Sequence, residues 1–384
     1  MNVSSPLFVL AILLITFLTG YLINIKHQST TRTKRYETID GLRGFLAICV
    51  FIHHSNIWHK YLHTGEWVAP DSNLLNQLGQ TGVALFFMIS SFLFVKMLIE
   101  YNKDNYDWKF FFIKRLFRLT PLHFFTVTII IIIVLIQSDW TLKTSLVLFS
   151  KNTLEWYGFG ILGLSDINDV DTAIINAGVL WSLPYEWLLY FTLPLISLII
   201  LKSKPKLFYI LLSLSFIITT LLFRSFDTQH ILSFVGGAIA PIILKYNRKK
   251  INWNNPWITL IVFLSTILIF QFHSSSNFIC KLLITCSFTL IALGNNFIGL
   301  LKNSTLKLLG EISYSTYLLH GLILFVVINY VHGLEKTKLL SETQFCLFIF
   351  AVSPLVIIIS FLTYRFIERP FITKAKRLTT TLKN

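Results

Sequence analysis

Apolar stretches of about twenty residues recur along the whole chain, from "PLFVLAILLITFLTGYLINI" at 6–25 to "FCLFIFAVSPLVIIISFLTYRF" at 345–366. Each is long enough to cross a hydrocarbon core roughly 30 Å thick. Backbone in lipid must satisfy its own hydrogen bonds, which only helices and closed barrels do. The period-2 alternation of a barrel is absent, so the chain reads as all-α, a polytopic transmembrane helical bundle. Only 13% of residues are charged, against about a quarter in soluble domains. Eleven spans are predicted, near 6–25, 39–58, 79–98, 119–137, 179–201, 206–223, 229–244, 256–272, 277–293, 309–330 and 345–366.

Basic residues orient these spans. With the N-terminus outside, 26 Lys and Arg fall on the cytoplasmic side and 7 on the other, together the full 33. The reading is a multi-pass protein of the inner (plasma) membrane with a cytoplasmic C-terminus. The +15 net charge follows from the inner loops and their anionic lipid surroundings, so no nucleic-acid partner is implied. Residues 1–25 lack a basic n-region and a small-residue cleavage site, which marks a retained helix rather than a signal peptide. Cys49, Cys280, Cys286 and Cys346 all lie within spans, and no disulfide framework or metal spacing is visible. The organisation expected is an extra helix and basic linker over 1–38, one membrane domain over 39–372 and a basic tail over 373–384. The outer loop at 138–178 holds "LEWYGFGILGL", suited to the membrane surface.

Ionisable residues inside spans usually face the bundle interior and mark function. In "DGLRGFLAICVFIHHSN", residues 40–56, Arg43 and His54 are eleven apart. At 100° per residue they lie within about 20° of one face, separated by a rise of about 16 Å. His53 points about 100° away. "WSLPYEWLLYFTLPL", residues 181–195, places Glu186 a turn or two below the outer surface, at the depth reckoned for His54. A carboxylate there can orient an imidazole as general-base catalysis requires; the alternative is a Glu186 bonded only to interfacial Trp or Tyr. "GEISYSTYLLHGLILF", residues 310–325, brings His320 to the outer half as well. "FFFIKRLFRLTPLHFF", residues 110–125, sets Arg115 and Arg118 at the cytoplasmic entrance, as a bidentate phosphate clamp or as topology anchors.

Taken together, "IDGLRGFLAICVFIHHS", "GVALFFMISSFLF", "KRLFRLTPLHFF", "WSLPYEWLLYFTLPL", "ISYSTYLLHGL" and "FIERPF" resemble, in order and spacing, the integral-membrane acyltransferase family 3. The resemblance covers about residues 36–372. It implies a ten-helix core that moves an acyl group, most often acetyl, from cytoplasmic acyl-coenzyme A to a hydroxyl of an extracytoplasmic or lipid-linked glycan. The family's Arg-ten-residues-His pattern falls on Arg43 and His54, and its Arg-two-residues-Arg pattern on Arg115 and Arg118. Two departures are Ser91, where the family has Gly, and the additional helix at 6–25. No esterase-like domain follows the last span, so transfer is expected to finish within the membrane domain.

The resulting assignment has His54 as general base or transient acyl carrier, supported by Glu186. Arg43, Arg115 and Arg118 bind the acyl-coenzyme A donor; Asp40, Trp181, Tyr317 and His320 bind substrate; no metal is required. The partners expected are the donor, a glycan or other hydroxyl acceptor and membrane lipids. A transporter or flippase for a lipid-linked glycan or small acylated metabolite would also bury charge, but it predicts inverted repeats, and no paired repeat is visible.

Overall fold

The computed structural model describes residues 2–26, 36–100, 106–200, 205–246 and 251–381. The basic linkers at 27–35, 201–204 and 247–250, on which part of the charge asymmetry rests, lie outside the described residues. The first helices are α1 (Pro6–Lys26), α2 (Glu37–Thr64), α3 (Asn73–Glu100), α4 (Trp108–Gln137), α5 (Leu146–Tyr157) and α6 (Thr172–Ile175). Next come α7 (Leu183–Ile200), α8 (Leu207–Phe223), α9 (Thr228–Gly237), α10 (Ile239–Tyr246), α11 (Pro256–Ile269) and α12 (Phe278–Leu293). The last are α13 (Ser304–Glu311), α14 (Ser313–Val326), α15 (Leu334–Lys338), α16 (Glu342–Thr363) and α17 (Arg369–Thr381). Among the described residues there is no β-strand, and an isolated bridge joins Ile167 to Val170.

Every one of the eleven predicted segments falls on helix. Among the described residues seven helical stretches are long and apolar enough to cross a membrane: Pro6–Lys26, Asn73–Glu100, Trp108–Gln137, Val179–Ile199, Thr228–Tyr246, Ser313–Val331 and Glu342–Leu378. Three apolar helices, α8, α11 and α12, are shorter. α2 has the length, but Asp40, Arg43 and four histidines make it the most polar of the long helices. The outward faces have lipid as their natural solvent: Leu7, Leu10, Leu14 and Leu18 of α1 are exposed at helical spacing. So are Leu207, Leu211, Leu214, Ile218 and Leu222 of α8.

Local chemistry moves several boundaries. α4 starts eleven residues before its predicted span, because the Asp107 carboxylate caps it by accepting from Phe110 N at 3.2 Å. Within the predicted span at 229–244 the helix is interrupted at the single residue Ala238, between α9 and α10, beside Gly237, which lies so close to the Met88 backbone that no Cβ fits. The predicted outer loop contains α5, capped by Ser145 and carrying exposed Leu146, Val147 and Leu154. α16 continues through a π-helical turn at Tyr364–Glu368 into α17, so the predicted tail is helical through Thr381.

The helices gather into two compact units, Met1–Phe92 with Leu232–Ser360, and Leu93–Ile231 with Phe361–Asn384. In the first unit α2 packs against α13 and α14, α13 against α1, and α11 against α12. The α2–α13 contact is backbone on backbone. A Cβ at Gly44 would fall on Leu306 O and one at Gly310 on Asp40 O, while one at Gly41 would fall on the Leu301 carbonyl in the 3-10 turn just before α13. The glycines of "DGLRG" therefore let two helices touch where side chains would hold them apart. Ser91 is buried in α3 at 2% exposure. In the second unit α7 packs on α8, and α4 packs on α5 and α17. Phe191 stacks on Phe216 at 3.9 Å between centroids, and the buried His123 ring lies on Phe159 at 4.2 Å with its Nε2 bonded to Trp156 O.

Candidate active site

The first unit assembles a histidine pair. α2 is held to its neighbours by the glycine contacts, by Glu37–Lys307 at 2.9 Å and by Asn56 Nδ2 donating to Val3 O at 3.1 Å. This fixes the height of His54. α14, following α13 directly after Ile312, brings His320 to it: His320 Nε2 is 2.9 Å from His54 Nδ1. His320 Nδ1 is 3.0 Å from Thr316 O and His54 Nδ1 is 3.1 Å from Val50 O.

Tautomers follow from these partners. A carbonyl oxygen can only accept, so His320 Nδ1 carries a proton and donates it to Thr316. In the neutral ring Nε2 is then a lone pair, which accepts the N–H of His54 Nδ1. His54 shares that N–H with Val50 O and keeps its own lone pair on Nε2. Among the described residues nothing hydrogen-bonds to that Nε2. An imidazole held in one tautomer by a partner on Nδ1, with Nε2 open, has the form of a positioned general base. Phe51 meets the His320 ring edge-on at 6.4 Å and Tyr317 lies 6.2 Å from it, itself edge-on to Phe86. These rings surround a pair that is fully buried at His320.

His53 goes elsewhere, as the helical angle predicts. Its Nδ1 donates to Leu75 O at 2.8 Å, and its ring fills the space left by Gly79 of α3. A cavity of about 180 Å³, walled by Leu42, Leu46, Cys49, Leu85, Ile284 and Phe288 among others, opens on another side of α2. Its α2 lining residues point about 130° from His54. Arg43 and Asp40 are half-buried on the first turns of α2, and the Asp40 carboxylate makes no ion pair among the described residues.

The second unit holds the other predicted residues. Arg115 of α4 sits among aromatic rings, its guanidinium 5.0 Å from the Phe94 centroid, 5.8 Å from Phe111 and 5.9 Å from Tyr190. Its Nε is buried with no hydrogen-bond partner among the described residues. A cation enclosed by π faces and retaining unused donors is suited to an incoming anion. Arg118 lies on the next turn, half-buried. Glu186 of α7 accepts from the hydroxyl of Tyr190, four residues along the same helix. Trp181, in the 3-10 turn before α7, packs on His230 at 4.7 Å and edge-on to Tyr185 at 5.7 Å.

Of the predicted residues, His54, His320 and Tyr317 thus form one cluster, with Arg43 on the same helix as His54. The partner on His54 Nδ1 is a histidine, whereas the predicted supporter, Glu186, bonds to Tyr190. Sequence reasoning missed the His54–His320 bond because its partners are 266 residues apart; their shared outer-half depth was the one signal available.

The chain is a membrane protein of the acyltransferase class, a member of acyltransferase family 3: the family model, described as an acyltransferase domain, matches residues 36–365. O-acetyltransferase OatA of Staphylococcus aureus strain NCTC 8325 is 27% identical over 370 residues, which cover 86% of this chain and 56% of that protein. A protein of S. aureus strain COL, provisionally named an O-acetyltransferase, is 26% identical over 395 residues, 90% of this chain and 59% of its own. The ORF330 protein of Acidianus two-tailed virus, provisionally named an acetyltransferase, is 27% identical over 313 residues, 77% of this chain and 86% of its own. The chain therefore spans less than three-fifths of the length of these S. aureus relatives. No solved structure matches it.

Proposed function

We propose that the chain is an O-acyltransferase of the plasma membrane, moving an acyl group, acetyl by preference, from cytoplasmic acyl-coenzyme A to a hydroxyl of an extracytoplasmic or lipid-linked glycan. The observation that carries this reading is the open Nε2 of His54, held by the 2.9 Å bond to His320 on the helix that bears Arg43. In the reaction the acceptor hydroxyl gives its proton to His54 Nε2 as its oxygen attacks the thioester carbonyl. The tetrahedral adduct collapses, the C–S bond breaks, and the coenzyme A thiolate takes the proton back. The positive charge that develops on His54 is shared with His320 through the proton between them. His320 is a positioning residue here, in place of its predicted role in binding substrate. Arg43, Arg115 and Arg118 take the donor's phosphates, which accords with the unused donors on Arg115. Eleven spans, an outer N-terminus and a cytoplasmic C-terminus complete the reading, with the donor arriving from the side of the basic loops.

Mass spectrometry of surface glycans from cells with and without the protein tests the activity. An increment of one acyl group is expected only with the intact protein, and its absence removes the acyltransferase reading. A transporter would instead move its cargo without consuming thioester. His320→Ala is expected to lower transfer by about ten- to a hundredfold, a part of the general-base contribution. His320→Gln, whose amide oxygen can accept the His54 N–H, should recover much of that loss. Equal activities for the two variants would deny His320 the positioning role.

Donor recognition gives a separate expectation. Arg115→Lys and Arg118→Lys keep the charge but lose the planar fork. The Kd for coenzyme A on detergent-purified protein should rise about tenfold for each, with less effect on the rate at saturating donor. Unchanged affinity would return both arginines to a topological role.

A further inference from the structure

The stripe of α2 that bears Arg43 and His54 continues outward. Trp58 is four residues beyond His54, about 40° around the helix and about 6 Å higher, and Tyr61 is seven beyond, within about 20°. α14 follows the same climb: as His320 meets His54, so Phe325, five residues on, meets Trp58 edge-on at 6.0 Å. Trp67, past the end of α2, closes the group, with its ring 5.2 Å from Trp58 and 5.6 Å from Tyr61. Trp58 is 1% exposed, yet its Nε1–H has no hydrogen-bond partner among the described residues. A buried donor left open calls for an explanation. Tyr61 and Trp67 stay half-exposed, so the cluster meets the outside while its inner end rests on the turn above the histidine pair.

We propose that Trp58, Tyr61 and Trp67 form an acceptor subsite: a sugar ring lies against the half-exposed Tyr61 and Trp67 rings and, as these rings part to admit it, one of its oxygens accepts the buried Trp58 Nε1–H. This rests on the acyltransferase reading given above. Aromatic side chains offer a broad apolar face with one polar handle, and a pyranose has the matching pair: a C–H face for the ring and equatorial oxygens for the donor. With the sugar seated one turn above His54, a hydroxyl on its inner edge comes toward Nε2.

The test uses detergent-purified full-length protein, acyl-coenzyme A, and the de-O-acylated surface glycan of the parent cells as acceptor. Trp58→Phe keeps an aromatic ring and removes the N–H; its acceptor KM should rise about fivefold, the scale of one hydrogen bond. Trp67→Ala and Tyr61→Ala should raise it about tenfold, with donor KM within twofold of wild type in all three. Unchanged acceptor KM would overturn the subsite, and so would donor and acceptor KM rising together, which marks a merely structural role. Binding is also read without turnover, by tryptophan fluorescence of His54→Ala titrated with the same glycan. A saturable change that Trp67→Ala and Trp58→Phe each diminish supports the subsite even where wild type transfers no acyl group, and no glycan-dependent change overturns it. Failure of transfer in wild type with binding intact would instead sink the acyltransferase reading.

Discussion

His54→Ala is expected to reduce acyl transfer by about 10²–10⁴-fold, the range a positioned general base supplies. The fold should survive, because among the described residues His54 bonds only to Val50 O of its own helix and to His320, so the change removes no helix–helix anchor but that one. The neighbouring histidine provides the contrast. His53 donates to Leu75 O across to α3 and fills the space over Gly79, so His53→Ala should cost about 1–3 kcal/mol through the unpaired carbonyl and the cavity while keeping transfer within about tenfold. Transfer rates and thermal melting of the two purified variants separate the cases. An inactive, stable His53→Ala beside an active His54→Ala would reverse the assignment.

Gly310→Val should prevent the first unit from assembling. The new Cβ would sit on the Asp40 carbonyl, and backbone cannot swing aside as a side chain can. The cost should reach or exceed the upper end of the roughly 1–3 kcal/mol typical of overpacking, since α2 and α13 must separate along their whole contact. Gly41 and Gly44 face the same limit against Leu301 O and Leu306 O. Size-exclusion chromatography of the detergent-solubilised protein should show loss of the monodisperse peak for Gly310→Val. Gly310→Ala brings the same Cβ onto the Asp40 carbonyl and should lose the peak and the activity as well, because α2 carries Arg43 and His54 and any outward shift carries them along. A fully active Gly310→Val would show that α2 and α13 need not touch.

The acyltransferase family and the helical character of the chain were legible because they rest on local or linear signals. Hydrophobic stretches of membrane length mark helices wherever they occur, and all eleven predicted segments are helical. Motif order along the chain carried the resemblance that the family model bears out over residues 36–365. Helical period is just as local a property. Residues eleven apart on one helix share a face, so His54 and His53 had to part, and His53 does turn to Leu75 and Gly79. Boundaries were less legible where polar caps and glycine contacts outweigh hydropathy, as at Asp107 before α4 and Gly237 at the end of α9.

The amino-acid sequence alone therefore determined the solvent this protein folds in, its helices, and the stripe on α2 that joins Arg43 to His54, because hydropathy and helical period are properties of neighbouring residues. Tertiary structure alone decided which group holds the His54 imidazole. His320 comes from a helix 266 residues away, and the geometry that brings it within 2.9 Å is set by α13, the helix before it, lying directly on the backbone of α2. Depth could be counted from the sequence, but rotation about the helix axis and the identity of the facing helix could not. The same packing left the Nε1 of Trp58 without a partner among the described residues, one turn above the pair, since a donor is left unpaired only once every neighbouring helix has taken its place.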